Sequence, residues 1–151
     1  MRIDAHTHGM HAEKDENGKL TPPLMPIWKP GDSEEGRRNC RDMGIDKVVL
    51  LDPPEVALTL AENLPDFCIP VPQVPMETSS AGDVHDLFRK GARGIKFIAP
   101  MHSYGDERYF PLYDAIRDNG GTAVFHTGFL GHGMFEPGCI LGRDKYVDNT
   151  L

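Results

Sequence analysis

Two histidines spaced two residues apart, His6 and His8, close the amino-terminal run Met1-Arg2-Ile3-Asp4-Ala5-His6-Thr7-His8. In an extended strand alternate side chains share a face, which predicts Asp4, His6 and His8 on one side and Ile3, Ala5 and Thr7 on the other. Two imidazoles at a strand's end can grip one metal ion, and by themselves they fit equally well a strand carrying two solvated or hydrogen-bonded histidines. A third histidine, His126, ends the run from Gly121 to His126 in the same position relative to its strand, and Gly128 follows it closely. Three neutral imidazoles with an open position suit a catalytic zinc, which acidifies a bound water to pKa ~7 and polarises a substrate oxygen. The plain alternative for His126 is a buried histidine bonded to a backbone carbonyl.

Other residues are candidates for supporting roles. Asp4 lies one pleat below His6 and is placed to orient a ligand histidine by accepting its second ring N–H. Lys96 sits inside Gly94-Ile95-Lys96-Phe97-Ile98, where a lysine facing a barrel interior must have its charge satisfied. It can neutralise Asp4, bind an anionic group of a substrate, carry a metal-bridging carbamate, or form a purely structural salt bridge. His132, in Gly131-His132-Gly133 after the fifth strand, can reach a substrate or stay exposed on a loop. His11 and His102 are lower-ranking candidates in loops, and His85 reads as a solvated helix residue.

These residues need elements to position them. After the first strand, residues 9–31 are polar and proline-bearing with no helical or strand period, which predicts a lid loop. A helix from Asp32 ends before Gly44, and Ile45–Leu51 reads as a strand buried on both faces. Glu55–Asn63 is helical, and Phe67–Val74 is a third strand weakened by Pro70 and Pro72. Ser79 or Ser80 caps a helix through Lys90, Gly94–Ile98 is a fourth strand, Pro111–Asn119 is a helix, and Gly121–His126 is a fifth strand. Strands alternating with helices predict an α/β fold with parallel pairing and right-handed crossovers. No Gly-x-Gly-x-x-Gly turn follows the first strand, while polar residues collect at strand ends, which favours a TIM-barrel type (β/α)8 fold over an open doubly wound sheet. A whole barrel needs about 250 residues, so residues 1–151 supply roughly the first five of its eight units, as the amino-terminal part of one domain.

The totals exclude several classes. A net charge of -7, from 16 basic and 23 acidic residues, argues against a nucleic-acid or anionic-membrane partner and for a small-molecule substrate. No apolar run is long enough for a membrane span and no signal region opens the chain, so the expected compartment is the cytoplasm. Cys40, Cys68 and Cys139 are too widely spaced for a zinc ribbon and read as small buried hydrophobes.

The stretches Ile3-Asp4-Ala5-His6-Thr7-His8, Gly44-Ile45-Asp46-Lys47-Val48-Val49, Gly91-Ala92-Arg93-Gly94-Ile95-Lys96-Phe97 and Val124-Phe125-His126-Thr127-Gly128 resemble, in order, the amidohydrolase superfamily. Within it the chain is similar to the amidohydrolase-related branch that includes aminocarboxymuconate-semialdehyde-decarboxylase-like enzymes. The resemblance implies a metal-dependent barrel in which His6, His8 and His126 bind the metal, and in which Lys96 matches the bridging lysine of binuclear members. Many members of the branch are mononuclear. Two other barrels that open with His-x-His or share this plan fit less well. The polymerase-and-histidinol-phosphatase phosphoesterases show an Asp-His pair where this chain has Leu51-Asp52-Pro53, and TatD-like nucleases show a glutamate in the place of Lys96.

Members of the superfamily also carry a histidine after strand six and a metal-binding, general-base aspartate after strand eight. The sequence supplies neither, so the expectation is a fragment of a longer protein or a half-barrel completed by another chain, a homo-oligomer included. The expected activity is metal-dependent hydrolysis, with metal-activated water attacking a carbonyl-type substrate. The alternatives are a metal-dependent decarboxylase, a lyase of the same superfamily, and a catalytically silent metal-binding or assembly module.

Overall fold

The computed structural model describes residues 1–7, 13–14, 20–21, 33–98 and 100–127. They fall into two compact units, one of Met1–Pro72 with Gly91–Arg93 and one of Gln73–Lys90 with the described part of Gly94–Leu151.

The first unit contains β1 (Ile3–Thr7), β2 (Glu13–Lys14), β3 (Leu20–Thr21), α1 (Ser33–Asp42), β4 (Lys47–Leu50), α2 (Pro54–Asn63) and β5 (Cys68–Pro70). β1, β4 and β5 pair in that order, all parallel, as alternating strands and helices require. Val48 and Leu50 send their side chains into a cluster with Cys40 of α1, Ala57 of α2, and Leu64, Phe67 and Cys68. Gly44 ends α1 at φ 74, the left-handed conformation that lets the chain turn into β4 without a Cβ clash. Burial pushes the Cys68 thiol up to about 12, with Cys40 nearby adding to the effect, so these cysteines are small apolar fillers as expected. Cys139 lies outside the described residues.

The second unit contains β6 (Gln73–Val74), α3 (Ala81–Arg89), β7 (Gly94–Phe97), a 3₁₀ turn (Glu107–Tyr109), α4 (Phe110–Asp118) and β8 (Thr122–Phe125). β6, β7 and β8 again pair in order and parallel. Ile95 and Phe97 of β7 are buried, as are Val84 and Leu87 of α3 and Leu112, Ala115 and Ile116 of α4. Ser80 caps α3 in a full capping box with Asp83, whose carboxylate accepts the Ser80 backbone N–H at 2.8 Å.

Two expectations are corrected. The stretch Phe67–Val74 is not one strand: β5 pairs only with β4 and β6 only with β7, and Val71-Pro72 separates them. Pro70 and Pro72 carry no N–H to continue a ladder. The segment 9–31 is not wholly irregular, since Glu13–Lys14 pairs antiparallel with Leu20–Thr21. The rest of that segment, and the expected Asp32 cap, lie outside the described residues. Among the described residues no helix is long and apolar enough to cross a membrane.

Candidate metal centre

The strand that carries the first histidine pair is not a regular pleat. Asp4 pairs with Val48 and Thr7 with Leu50, so three steps along β1 match two along β4 and the strand bulges between them. Val48 and Leu50 share the helix-covered face, and the bulge puts both Asp4 and Thr7 on that face as well. Thr7 is accordingly 1% exposed. Burial first, and then the charge of Asp4, raises the Cys40 thiol. The expectation that Asp4 shares a face with His6 is therefore corrected. His6, the neighbour of Thr7, takes the opposite face and is exposed. Asp4 meets His6 at its backbone, where Asp4 Oδ1 accepts the His6 N–H at 3.1 Å. This bond lies within the irregular step between Asp4 and Thr7 and fixes the His6 backbone there.

In the second unit the register places Lys96 level with Gln73 and Val124, on the face opposite Phe97 and Phe125. Lys96 is 2% exposed although it stands in mid-strand. His126 follows Phe125 and by alternation turns to the Lys96 side, half-buried. Its backbone is fixed on both sides. The His126 N–H donates to Phe97 O at 2.9 Å, and the hydroxyl of Tyr104 donates to His126 O at 2.9 Å.

Around this strand end, loops are tied together. Glu77, after β6, accepts from the Met101 backbone N–H after β7 and from the Tyr109 hydroxyl at 2.7 Å. Partial burial acts to raise the Glu77 carboxyl, but these hydrogen bonds and the nearby His102 hold it below its ordinary value. The Tyr109 phenol is pushed up to about 12 by burial and by Glu77. His102 is exposed. His85 is half-buried, and its Nδ1 accepts from Asn119 Nδ2 at 2.7 Å, so it ties α3 to the end of α4 rather than standing in solvent. His8, His11 and His132 lie outside the described residues.

Sequence reasoning passed over three residues here. Asp52 is 0% exposed just beyond the carboxyl end of β4, and Thr7 keeps a buried hydroxyl with no hydrogen-bond partner among the described residues. An aspartate between an apolar strand and a proline pair was a legible signal for Asp52. Tyr104, in a polar loop, carried none.

No group of three or more His, Cys, Asp or Glu able to hold a metal stands together among the described residues. His6 belongs to the first unit and His126 to the second. Taken singly, His6 near the end of β1 and His126 just after β8 each offer an imidazole nitrogen, a donor type that divalent transition metals accept.

No family model and no curated protein matches the sequence. Solved structures do. A 5-carboxyvanillate decarboxylase from Novosphingobium aromaticivorans, with bound manganese and 3-methoxy-4-hydroxy-5-nitrobenzoic acid, is 16% identical with a TM-score of 0.57, over 76% of this chain and 38% of that one. A second structure of the enzyme, also with manganese and the nitrobenzoic acid, gives 20% identity and a TM-score of 0.54 over 66% of this chain and 36% of that one. An uncharacterised TIM-barrel protein from Bordetella bronchiseptica gives 19% identity and a TM-score of 0.53 over 64% of this chain and 40% of that one. The chain thus spans about two fifths of the length of these structures. Its strands and helices have the fold of the TIM-barrel type, (β/α)8, of which this chain carries a part.

Proposed function

We propose that this chain is part of a metal-dependent enzyme of the amidohydrolase superfamily, and that its reaction is decarboxylation of an aromatic or similarly conjugated carboxylate. The observation that carries the reading is the coincidence of the barrel likeness to two manganese-bound decarboxylase structures with histidines at the carboxyl ends of β1 and β8. In this fold the carboxyl ends of the strands gather at the active face. His6, His8 and His126 are the ligands in this reading, and they are nitrogen donors that accept manganese, zinc or iron.

A bound divalent cation supplies Lewis acidity toward the substrate's oxygens. The chain's own residues do the rest. Asp4 accepts the His6 N–H and steadies the backbone that carries the imidazole. Lys96, on the same side of its sheet as His126, offers an ammonium to a substrate carboxylate, and the low exposure of that lysine strengthens the attraction. His132 is a further proposed contact to substrate.

Hydrolysis by activated water remains the second reading, on the pattern of the three histidines. Product analysis separates the two. Incubation of the purified protein with manganese and a carboxylated phenol releases carbon dioxide, with no solvent oxygen in the product. Incorporation of oxygen from labelled water without carbon dioxide release would overturn the decarboxylase in favour of the hydrolase. Absence of turnover with retained metal binding would point to the assembly module instead.

A further inference from the structure

We propose that Tyr104 is the positioning residue for His126: its phenol fixes the His126 carbonyl and thereby sets the direction in which the imidazole leaves the end of β8. The inference rests on the reading of His126 as a metal ligand and adds to it a residue outside the histidine set.

His126 stands one residue past β8, where the sheet ladder gives out. Its N–H still bonds Phe97 O at 2.9 Å. Its carbonyl is met from the connection between β7 and α4, where Tyr104 Oη lies 2.9 Å from His126 O and 3.3 Å from Phe97 O. One phenol therefore closes the carboxyl ends of two adjacent strands. With the N–H and C=O of His126 both bonded, rotation about its backbone is held at two points, and the Cα–Cβ direction follows. Without the hydroxyl, the His126 carbonyl loses this donor.

The phenol is itself rigidly mounted. Tyr104 is 1% exposed, and its ring meets Phe125 edge-on at 4.9 Å. Its carbonyl accepts from the Tyr113 hydroxyl at 2.6 Å, and the Tyr113 ring packs edge-on against Phe97 at 5.8 Å and Phe125 at 5.7 Å. A post this firmly set transmits no slack to the residue it holds.

Cobalt titration of the purified protein, read by visible absorption, reports affinity and ligand geometry. Thermal unfolding of the metal-free protein reports the fold separately. Tyr104→Phe is expected to weaken cobalt affinity about tenfold and to change the absorption spectrum. Tyr109→Phe, which removes another buried hydroxyl but one bonded to Glu77, is expected to bind as the unsubstituted protein does, with a similar melting temperature to Tyr104→Phe. Two results overturn the inference while leaving the ligand reading intact, provided His126→Ala loses binding: Tyr104→Phe binds cobalt with unchanged affinity and spectrum, or Tyr109→Phe weakens it equally. Unchanged binding in His126→Ala overturns the ligand reading and the inference with it. If Tyr104→Phe does not fold, Tyr113→Phe, which releases the Tyr104 backbone, is expected to weaken affinity severalfold, and unchanged affinity there overturns the inference.

Discussion

Asp4 and His6 are joined through a side chain and a backbone, Asp4 Oδ1 accepting the His6 N–H at 3.1 Å across the bulge in β1. The register pairs Asp4 with Val48 and Thr7 with Leu50, which sets Asp4 on the face that Val48 shares. A parallel strand with an extra residue at its carboxyl end re-aims the side chain that follows.

Replacing Asp4 tests this directly. Asp4→Ala removes the acceptor and is expected to cost about 1 kcal/mol in chemical denaturation. Asp4→Asn keeps an oxygen in the same place and is expected to retain most of that stability. If the bulge aims His6, manganese affinity measured by calorimetry falls in Asp4→Ala and is largely kept in Asp4→Asn. Equal affinity in both variants would separate the bulge from the metal.

Much of the scaffold was legible because its signals are local and repeated. Ser80, Gly44 and Gly120 mark helix ends by their chemistry, and the apolar runs around Val48 and Ile95 mark buried strands. The bulge was not legible, since one extra residue in a five-residue strand leaves no break in a period too short to establish. Strict alternation assigned Asp4 to the wrong face for that reason. The division at Val71-Pro72 was half visible: the prolines announced a weak strand, but only the pairing partners show that β5 and β6 serve different sheets. Tyr104 acts across 22 residues on a backbone atom, and sequence carries no trace of such a contact.

Lys96 separates a substrate contact from a structural charge. It is 2% exposed, and removing a structural partner from a buried ion pair costs about 3–5 kcal/mol. Under the proposed role, Lys96→Met is expected to keep manganese binding and to lose turnover chiefly through substrate affinity, read as a rise in KM larger than the fall in kcat. An unchanged KM in Lys96→Met, with metal affinity also unchanged, would instead make Lys96 a structural ion partner.

Glu77 gives the fold a defined response to acid. Its carboxyl is held below the ordinary 4.5 by the Met101 N–H and the Tyr109 hydroxyl, against the opposing effect of burial. A carboxyl lowered in the folded state stabilises fully above its unfolded value, and that stability is lost as pH falls through the folded value. The melting temperature of the unsubstituted protein is therefore expected to exceed that of Glu77→Gln at neutral pH, with the gap closing below pH 4.5. Tyr109→Phe removes one of the lowering bonds, so in that background the Glu77→Gln gap is expected to be smaller and to finish closing at a higher pH than in the unsubstituted protein. A gap that stays constant across this range would show that Glu77 does not link the two loops through its charge.

Gly121 and Phe88 provide a packing test at the base of β8. Gly121 lies directly under the Phe88 ring of α3, and a Cβ built on it would run into that ring. The aromatic ring is held by its helix and cannot yield like the end of a flexible chain, so Gly121→Ala is expected to cost about 1–3 kcal/mol. Phe88→Leu alone removes part of a half-buried ring and is expected to cost a comparable amount. Combined, the two changes relieve each other: the smaller leucine makes room for the new methyl group, and the double variant is expected to be more stable than the sum of the single losses predicts. Denaturation of all four proteins gives the coupling. Strict additivity would mean that α3 shifts to absorb the methyl group and that Gly121 does not set its distance from β8.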